Sequence, residues 1–420
     1  MKVLVVGSGA REHAIAWKLQ QSRLCPEILC APGNVGTAQV GRNVAVQATD
    51  VAGLLDLARS ERIDLTVVGP EAPLVAGLAD RFREAGLAVF GPSQAAAAIE
   101  GSKVWAKRLM QRHGIPTAEA EVFESAGEAM EYLRTASYPL VVKADGLAAG
   151  KGVVLASTWQ EAAAAVTAMM EDKAFGAAGE RIILEQCLEG REVSLLAFTD
   201  GETVLPMVPA CDYKRVDDGD QGPNTGGMGS YSPPSFLTAD MQREVVKTVL
   251  EAAVRAMAAE GRPYTGVLYA GLMITASGPR VLEFNARFGD PETQVVLPRL
   301  KSDLLEIMLA TARGELAGQQ VEWGEQACCG VVLASGGYPG RYETGQPIQG
   351  LERVPEGVTV FHAGTSWRHG RVVTAGGRVL TVVGRGTDMR EARERAYAGV
   401  AAIQYEGMHY RHDIALREVV

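Results

Sequence analysis

The first hundred residues of this 420-residue chain alternate short apolar runs with amphipathic stretches, and this alternation constrains the fold most. The apolar runs are VLVVGSG, EILCAPG, IDLTVVGP and LAVFGP. Strands that alternate with helices in this way form parallel sheets, because each helix crosses back over the sheet. The sequence therefore predicts a doubly wound parallel α/β domain over residues 1–101, with ligands beyond the C-terminal ends of its strands.

The remaining residues predict further units, so the whole chain is a multidomain protein of mixed α/β and α+β class. A chain of this length cannot be organised around one small core. A helical connecting segment is expected over residues 102–116 and a small α+β unit over residues 117–190. A larger unit would cover residues 191–322. Short, glycine-rich β segments predict a small β-rich C-terminal domain over residues 323–420.

Composition narrows the functional classes. The formal net charge of −9 argues against a nucleic-acid-binding surface, which needs an excess of basic residues. The chain begins directly with a strand pattern, and no apolar run reaches the roughly 18 residues of a membrane span. Six scattered cysteines without a Cys-x-x-Cys pair indicate buried reduced thiols. We therefore expect a cytoplasmic protein that binds neither nucleic acid nor membranes.

A strand in the second half combines side chains that suit a metal ion and phosphates. In VLEFNARFGDPE, residues 281–292, strand alternation places Glu283, Asn285 and Arg287 on one face. Carboxylate and amide oxygens are ligands for Mg²⁺, and a guanidinium stabilises developing negative charge. Taken alone, this pattern fits a solvated edge strand equally well. A phosphate-type motif upstream favours the metal site.

That upstream motif is PLVVKADGLAAGKGV, residues 139–153, in which a strand ends at Lys143 and a loop with three glycines and Lys151 follows. Glycines let backbone N–H groups turn towards an anion, and lysines add positive charge. The loop leads into a strand and lacks the G-x-x-x-x-G-K-[ST] pattern, so it is not a Walker A loop. We interpret it as a glycine-rich flap that closes over a triphosphate. The alternative is a tight hairpin whose glycines serve only the turn.

The order of these motifs resembles the ATP-grasp superfamily, whose members join a carboxylate to a nucleophile through an acyl phosphate. Within it, the chain is most similar to the phosphoribosylamine–glycine ligase family, the glycinamide ribonucleotide synthetases. The resemblance implies an ATP-grasp fold in the middle of the chain, with residues 117–190 as its lid. The segments that carry it are VVGSGAREHA (5–14), APGNVGT (31–37), VGPEAPL (68–74), KADGLAAGKG (143–152), DQGPNTGGMG (220–229), EFNARFGDPET (283–293) and YRHDI (410–414).

This resemblance implies that ATP, glycine and 5-phosphoribosylamine react to give ADP, phosphate and glycinamide ribonucleotide, a step of purine biosynthesis. Such an enzyme works mainly by positioning and charge neutralisation. Glu283 and Asn285 would bind Mg²⁺ or Mn²⁺, and the catalytic residues would be Arg287, Lys143 and Asp212. The implied ATP-binding residues are Lys103, Lys143, Gly146, Gly150, Lys151, Gly152, Glu185, Gln186, Leu188 and Glu192.

The amino-sugar phosphate would bind at the helix start after the first strand, where backbone N–H groups favour an anion. Asp212 would hold the glycine ammonium, although an Asp in a turn-rich loop is more often a turn former. We expect a monomer with small-molecule substrates. The implied substrate-binding residues are Gly9, Arg11, Glu12, Asn34, Gly36, Thr37, Glu71, Asp212, Lys214, Gly226, Gly227 and Arg287.

One departure and three alternatives remain. The strand VLYAGLMI, residues 267–274, lacks the acidic residue that many ATP-grasp enzymes place there, which leaves the number of metal ions open. A dinucleotide-dependent oxidoreductase would need a third glycine where this chain has Glu12. A non-enzymatic nucleotide-binding protein would not explain a metal site, a flap and a separate phosphate site together. Within the superfamily, a related enzyme could use formate or bicarbonate instead of glycine.

Overall fold

The N-terminal region is a five-stranded parallel sheet with strand order β3-β2-β1-β4-β5. The computed structural model describes residues 1–24, 26–146 and 152–420. On β1, Leu4 and Val6 pack in one hydrophobic cluster and Val3 and Val5 in another, so both faces of the sheet are covered. The elements are β1 Lys2–Gly7, α1 Ala10–Leu19, β2 Glu27–Pro32, α2 Thr37–Val40, β3 Arg42–Asn43, α3 Val51–Glu61, β4 Leu65–Val68, α4 Glu71–Val75, α5 Leu78–Glu84, β5 Val89–Phe90 and α6 Gln94–Gly101.

This topology confirms the predicted doubly wound domain. The strand order reverses between β1 and β4, and the loops that follow these two strands lie at the same edge of the sheet. That edge is where ligands bind in open parallel sheets.

A connecting helix and a small antiparallel unit come next. The sheet order is β6-β9-β7-β8, and the unit has its own hydrophobic cluster, which includes Leu133, Val142 and Leu184. The predicted strand after the glycine-rich loop is confirmed as β8, whereas Gly150 and Lys151 lie outside the described residues. The elements are α7 Lys103–His113, β6 Ala120–Phe123, α8 Ala126–Leu133, β7 Leu140–Ala144, β8 Val153–Ala156, α9 Trp159–Val166 and β9 Ile182–Gln186.

The larger middle unit is built on the antiparallel sheet β11-β10-β16-β17. A π-helical turn over Val246–Leu250 joins α10 to α11, so the two make one continuous long helix. The elements are β10 Arg191–Thr199, β11 Val204–Pro206, β12 Cys211–Asp212, β13 Arg215–Asp217, β14 Gln221–Asn224, β15 Gly229–Ser232, α10 Ala239–Val245, α11 Glu251–Ala259, β16 Gly266–Thr275, β17 Gly278–Asn285, α12 Thr293–Val296 and α13 Leu304–Arg313.

The C-terminal region forms a sheet that also takes in strands from the middle of the chain. Its order is β12-β15-β18-β22-β19, and β23 pairs with β18. Hydrogen bonds between β15 and β18 therefore cross the predicted boundary at residue 322, and the domain limits stay predictions. The elements are β18 Ala327–Ser335, β19 Val358–His362, β20 Thr365–Arg368, β21 Arg371–Thr374, β22 Arg378–Gly386, α14 Met389–Ala402 and β23 Met408–His409.

The cysteines within the described ranges agree with the predicted reduced thiols. Cys30, Cys211, Cys328 and Cys329 are free and buried, and Cys187 is free and half-buried. A search of the same ranges finds no helix that is long and apolar enough to cross a membrane.

Candidate active site

The end of β17 presents the two predicted metal ligands. Glu283 and Asn285 are half-buried, whereas Phe284 and Ala286 between and beside them are buried, as the strand alternation predicts. Among the residues that the structure describes, the Glu283 carboxylate has no hydrogen bond or ion pair. Its negative charge nevertheless acts on Lys103 and Asp212. A carboxylate left without a partner beside an amide oxygen suits a divalent cation.

These two oxygens alone do not complete a coordination shell. No group of three or more His, Cys, Asp or Glu side chains in the described part of the chain could hold a metal ion. Mg²⁺ usually keeps several waters and is bound by one or two carboxylates together with substrate phosphates. The residues present therefore fit Mg²⁺ only as an ion that phosphate oxygens and water also bind.

Arg287 lies just beyond β17 and is held by two carboxylates from the N-terminal region. Its Nε is 3.2 Å from Glu71 Oε2, and its Nη2 is 2.9 Å from Glu100 Oε1. Burial lowers the pKa of Arg287, but Glu100 and Glu71 outweigh burial and leave that pKa above its ordinary value. The same Nη2 is 3.3 Å from Asn285 Oδ1. The guanidinium is therefore fixed beside the candidate metal ligand.

Glu100 is a site residue that sequence analysis missed. It lies near the end of α6, its Oε2 accepts a hydrogen bond from the Ala286 N–H at 2.7 Å, and it is 8% exposed. Its only local signal is the sequence EGSK, which places it three residues before Lys103. Its partner Arg287 lies far along the chain, so the sequence gives no indication of the pair.

Lys143 is positioned by a buried carboxylate. Its Nζ is 2.6 Å from Glu185 Oε2 and donates to the Leu282 carbonyl at 3.1 Å. Lys107 binds the other oxygen of Glu185 at 2.9 Å. Burial raises the pKa of Glu185, but Lys143 and Lys107 outweigh burial and lower it overall. Both oxygens of Glu185 thus contact lysines, and its predicted contact with ATP stays a prediction.

Lys103 and the ends of the glycine-rich loop lie near this group. Lys103 Nζ donates to the Gly146 carbonyl at 2.7 Å, and burial lowers its pKa. Gly152 accepts a hydrogen bond from the Ala144 N–H at 2.8 Å, which continues the pairing of the two strands around the loop. Lys103 and Lys143 are therefore both placed near the base of the flap.

The predicted adenine and ribose residues lie at the end of β9 and the start of β10. Gln186 is the last residue of β9 and Leu188 is half-buried in the connection. Glu192 Oε2 accepts a hydrogen bond from Lys214 Nζ at 2.5 Å. Contacts of Gln186, Leu188 and Glu192 with a nucleotide stay predictions.

Lys214 also joins the predicted glycine-binding residue. Its Nζ is 3.1 Å from Asp212 Oδ1. Burial lowers the pKa of Lys214, but Asp212 and Glu192 outweigh burial and leave it well above its ordinary value. The structure thus brings Asp212 and Lys214, predicted to bind substrate, together with Glu192, predicted to bind the ribose of ATP.

Glu292 is a second residue that sequence analysis missed. It is 3% exposed, and its Oε1 accepts hydrogen bonds from Tyr269 at 2.8 Å and Ser194 at 3.3 Å. Burial and the charge of Asp212 raise its pKa to about 7. The segment DPE that contains it was visible in the sequence, but nothing in that pattern separates a site acid from a turn residue.

The loop after β1 is bonded more strongly within the protein than the sequence predicts. The Gly9 N–H donates to Glu12 Oε2 at 2.5 Å, and Arg11 Nε is 2.5 Å from Glu12 Oε1. A Cβ atom at Gly7 or Gly69 would lie 2.6 Å or 2.1 Å from the Glu12 side chain. Glu12 therefore fills the space at the helix start, and contacts of Gly9, Arg11 and Glu12 with the amino sugar stay predictions. The same carboxylate would obstruct the pyrophosphate of a dinucleotide, which contradicts the oxidoreductase alternative.

The loop after β2 is also more structural than predicted. Asn34 Oδ1 accepts hydrogen bonds from the N–H groups of Gly36 and Thr37 at 2.8 and 3.0 Å. Its Nδ2 donates to the His362 carbonyl at 2.6 Å, and a Cβ atom at Gly36 would lie 2.2 Å from His13. The Asn34 side chain thus forms a turn and attaches it to the C-terminal region, and contacts of Asn34, Gly36 and Thr37 with substrate stay predictions.

A second loop that contains several glycines, residues 224–229, lies against the segment that follows β17. Thr225 is bonded to the Lys214 carbonyl through its N–H at 2.7 Å and its hydroxyl at 2.8 Å. Gly227 has φ +111°, and a Cβ atom there would lie 2.4 Å from Pro291 Cδ. Gly226 is contacted by Tyr338 and Arg378 from the C-terminal region, neither of which the sequence indicated.

Comparison with known proteins shows the family. Residues 1–100 match the family model for the phosphoribosylglycinamide synthetase N domain, residues 101–293 that for its ATP-grasp (A) domain and residues 328–417 that for its C domain. Relatives named phosphoribosylamine–glycine ligase from Salmonella typhi and Escherichia coli K12 are each 52% identical over 425 residues. Each match covers 100% of this chain and 99% of the relative.

Solved structures agree with these matches. Phosphoribosylamine–glycine ligase from Thermotoga maritima has a TM-score of 0.87 at 34% identity, covering 99% of this chain and 100% of that chain. The biotin carboxylase domain of Hydrogenobacter thermophilus 2-oxoglutarate carboxylase has a TM-score of 0.76 at 17% identity, covering 97% and 91%. That second likeness shows the fold alone. The middle of the chain has the ATP-grasp fold, and the chain belongs to the phosphoribosylglycinamide synthetase family.

Proposed function

We propose that this protein is an ATP-dependent ligase that joins glycine to 5-phosphoribosylamine through glycyl phosphate. The products are glycinamide ribonucleotide, ADP and phosphate, and the reaction belongs to purine biosynthesis. The observation that carries this proposal is the full-length match to phosphoribosylamine–glycine ligases. The Glu283 carboxylate, which has no hydrogen bond or ion pair within residues 1–24, 26–146 and 152–420, supports it independently, together with the doubly anchored Arg287.

The chemistry explains why these residue types are needed. A carboxylate is a poor acyl donor, because its leaving group would be oxide. Transfer of the γ-phosphoryl group from ATP to a glycine carboxylate oxygen releases ADP and creates a mixed anhydride. The amine of phosphoribosylamine then attacks the carbonyl carbon and loses a proton, and phosphate departs with the former carboxyl oxygen. Catalysis therefore depends on alignment and on neutralising charge.

The residues of this chain divide these tasks. Lys103 and Lys143 would bind phosphate oxygens, because both ammonium groups lie at the base of the flap. Arg287 would stabilise the acyl phosphate and the tetrahedral oxyanion. Asp212 would hold the glycine ammonium. Glu283 and Asn285 would hold Mg²⁺ or Mn²⁺, which when bound neutralises phosphate charge.

The cellular setting belongs to the same proposal. We infer a monomer in the cytoplasm that binds neither nucleic acid nor membranes, and the net charge of −9 supports the absence of a nucleic-acid surface. Light scattering on a size-exclusion column tests the monomer, since a mass of twice 44.6 kDa would contradict it.

A coupled ADP-release assay tests the reaction. The protein is given ATP and Mg²⁺ with glycine, formate or bicarbonate, each with and without phosphoribosylamine. We expect ADP release only with glycine and phosphoribosylamine together. Glycine labelled with ¹⁸O in its carboxyl group should transfer one labelled oxygen to phosphate. Unlabelled phosphate would exclude the acyl phosphate, and turnover with formate or bicarbonate would favour the related enzymes.

A further inference from the structure

Two residues of the C-terminal region hold both backbone groups of Gly226. The Gly226 N–H donates to the Tyr338 hydroxyl at 2.9 Å, and the Gly226 carbonyl accepts from Arg378 Nη1 at 2.5 Å. Tyr338 lies just after β18, and Arg378 is the first residue of β22. A Cβ atom at Gly226 would lie 3.1 Å from the Arg378 guanidinium carbon and 3.2 Å from the Tyr338 hydroxyl. The loop over residues 224–229 is therefore held by groups from another part of the chain, although Gly226 itself is exposed.

The same guanidinium also fixes the turn after β17. Arg378 Nη2 is 3.0 Å from Asp290 Oδ2, and Nη1 donates to the Asp290 carbonyl at 3.0 Å. The other carboxylate oxygen of Asp290 accepts from Gln294 Nε2 at 2.7 Å. Burial raises the pKa of Asp290, but Arg378 and Arg11 outweigh burial and lower it overall. Asp290 is therefore a charged partner that a neutral side chain at residue 378 would leave buried and unpaired.

The position of this contact indicates which substrate it serves. The charged groups that act on Arg378 include Asp290, Glu292 and Arg287. A Cβ atom at Gly9 would lie 3.5 Å from Asp290 Oδ2, so the Asp290 turn adjoins the N-terminal loop. Arg378 thus joins the loop over residues 224–229 to a turn that adjoins the N-terminal loop, which carries residues proposed to bind the amino sugar.

We propose that Arg378 is a positioning residue. It fixes Gly226 and Asp290 relative to each other and thereby shapes the subsite for the amine substrate. This inference rests on the proposed function and deepens it, because it assigns the amine subsite to a residue of the C-terminal region. Arg378 acts through the loop and the turn. A lysine cannot replace it, because a single ammonium group cannot reproduce the planar set of hydrogen bonds to the Gly226 carbonyl, the Asp290 carbonyl and Asp290 Oδ2.

Steady-state kinetics of Arg378→Ala, Arg378→Lys and Tyr338→Phe test the proposal. We expect Arg378→Ala to raise the KM for phosphoribosylamine about tenfold or more, the scale of one charge-assisted hydrogen bond. The KM for ATP should change less than about twofold, because uniform binding of ATP does not involve these groups. Tyr338→Phe should act in the same direction and more weakly. Added guanidinium ion should partly restore Arg378→Ala but not Arg378→Lys.

Control measurements distinguish a failure of this inference from a failure of the proposed function. Arg371→Ala, an exposed arginine of the β20–β21 hairpin, should behave as wild type. If wild-type protein releases no ADP with glycine and phosphoribosylamine, the proposed function fails. If wild type is active and Arg378→Lys and Tyr338→Phe keep the normal KM for phosphoribosylamine, this inference fails. Equal increases in the KM for ATP and for the amine would also overturn it, because they would indicate a general loss of structure.

Discussion

The end of β17 and the loops of the N-terminal sheet both carry polar residues at strand ends, yet they use them differently. Glu283 has a carboxylate with no hydrogen bond or ion pair among the described residues. Glu12 and Asn34, in contrast, direct their polar atoms to Gly9, Gly36 and neighbouring groups of the protein itself. A polar group already bonded within the fold gains little from a ligand, because binding must first break that bond.

This difference separates candidate ligand-binding residues from residues that shape the site. Glu283 keeps its carboxylate oxygens free of bonds within the described residues, and Asn285 Oδ1 accepts only a long hydrogen bond from Arg287 at 3.3 Å. Glu12 and Asn34 stabilise the loops that surround it. The comparison predicts that substitutions in the first group reduce catalysis without loss of stability, whereas substitutions in the second group reduce stability first.

The largest effect is expected at Glu283. Replacement by Gln removes a negative charge that contacts no cation in the described part of the chain, so turnover should fall by at least ~10²-fold while the melting temperature stays unchanged. The coupled ADP-release assay and thermal unfolding measure the two quantities. Glu124→Gln, at an exposed position outside the site, is the matched control. Normal turnover in Glu283→Gln would remove this residue from the site.

A similar loss is expected from Arg287→Lys. Lysine retains the charge but cannot contact Glu71, Glu100 and Asn285 at once, so turnover should fall about 10²-fold. The loss should appear in kcat for the complete reaction, with Arg108→Lys as an exposed control. Wild-type kcat in Arg287→Lys would show that only positive charge matters there.

Glu185→Gln tests whether this carboxylate works through Lys143. The substitution weakens the ion pair that orients Lys143, so we expect the KM for ATP to rise about tenfold. In a Lys143→Met background the same change should have little further effect, because the interaction is already absent. Glu180→Gln is the exposed control. Additive effects of the two substitutions would instead support a direct contact between Glu185 and ATP.

Asn34→Ala tests the other side of the comparison. It removes hydrogen bonds to Gly36, Thr37 and the His362 carbonyl, so the free energy of unfolding should fall by about 1–3 kcal/mol. The KM values of the folded protein should change little. Urea unfolding and steady-state kinetics measure both, with exposed Gln39→Ala as control. A large rise in the KM for phosphoribosylamine at unchanged stability would instead support a direct contact between Asn34 and the substrate.

The smallest effect is a pH dependence of stability. Burial, with a contribution from His362, lowers the pKa of His13 from 6.5 to about 3, and burial lowers that of His362 to about 4. The unfolded chain binds protons at a higher pH than the folded chain. The contribution of the two neutral histidines to the free energy of unfolding is therefore complete above pH 6.5. This contribution is lost as the pH falls towards 4 and then 3.

Urea unfolding at pH 7.5 and pH 5 measures this dependence. His13→Asn should be less sensitive to the change than wild type, whereas exposed His369→Asn should resemble wild type. An unchanged pH slope in His13→Asn would contradict the assignment.

Local patterns account for what the sequence predicted well. Alternation of apolar runs identified the parallel sheet, and the period of two placed Glu283 and Asn285 on one face of β17. The arrangement of Glu12 was also within reach, because a glutamate three residues after a helix N-cap commonly bonds back to the N-cap N–H. The same segment fits both a capped helix start and a phosphate-binding helix start, so the sequence alone does not decide between them.

Contacts between distant segments could not be predicted in the same way. Glu185 is paired with Lys107, Arg287 with Glu100, and Asn34 with the His362 carbonyl. Each pair depends on how helices, strands and loops from distant parts of the chain pack together, which periodicity does not encode. The resemblance to a family identified which residues share a site, but not which of them bind each other.

The pairing of β15 with β18 has a consequence for synthesis of the protein. The loop that contains Gly226 leads directly into β15, whose hydrogen-bonding neighbour β18 follows much later in the chain. During translation, β15 remains an open edge until the ribosome has released β18. A fragment that ends before β18 would therefore leave one edge of β15 unpaired, and an exposed strand edge favours aggregation.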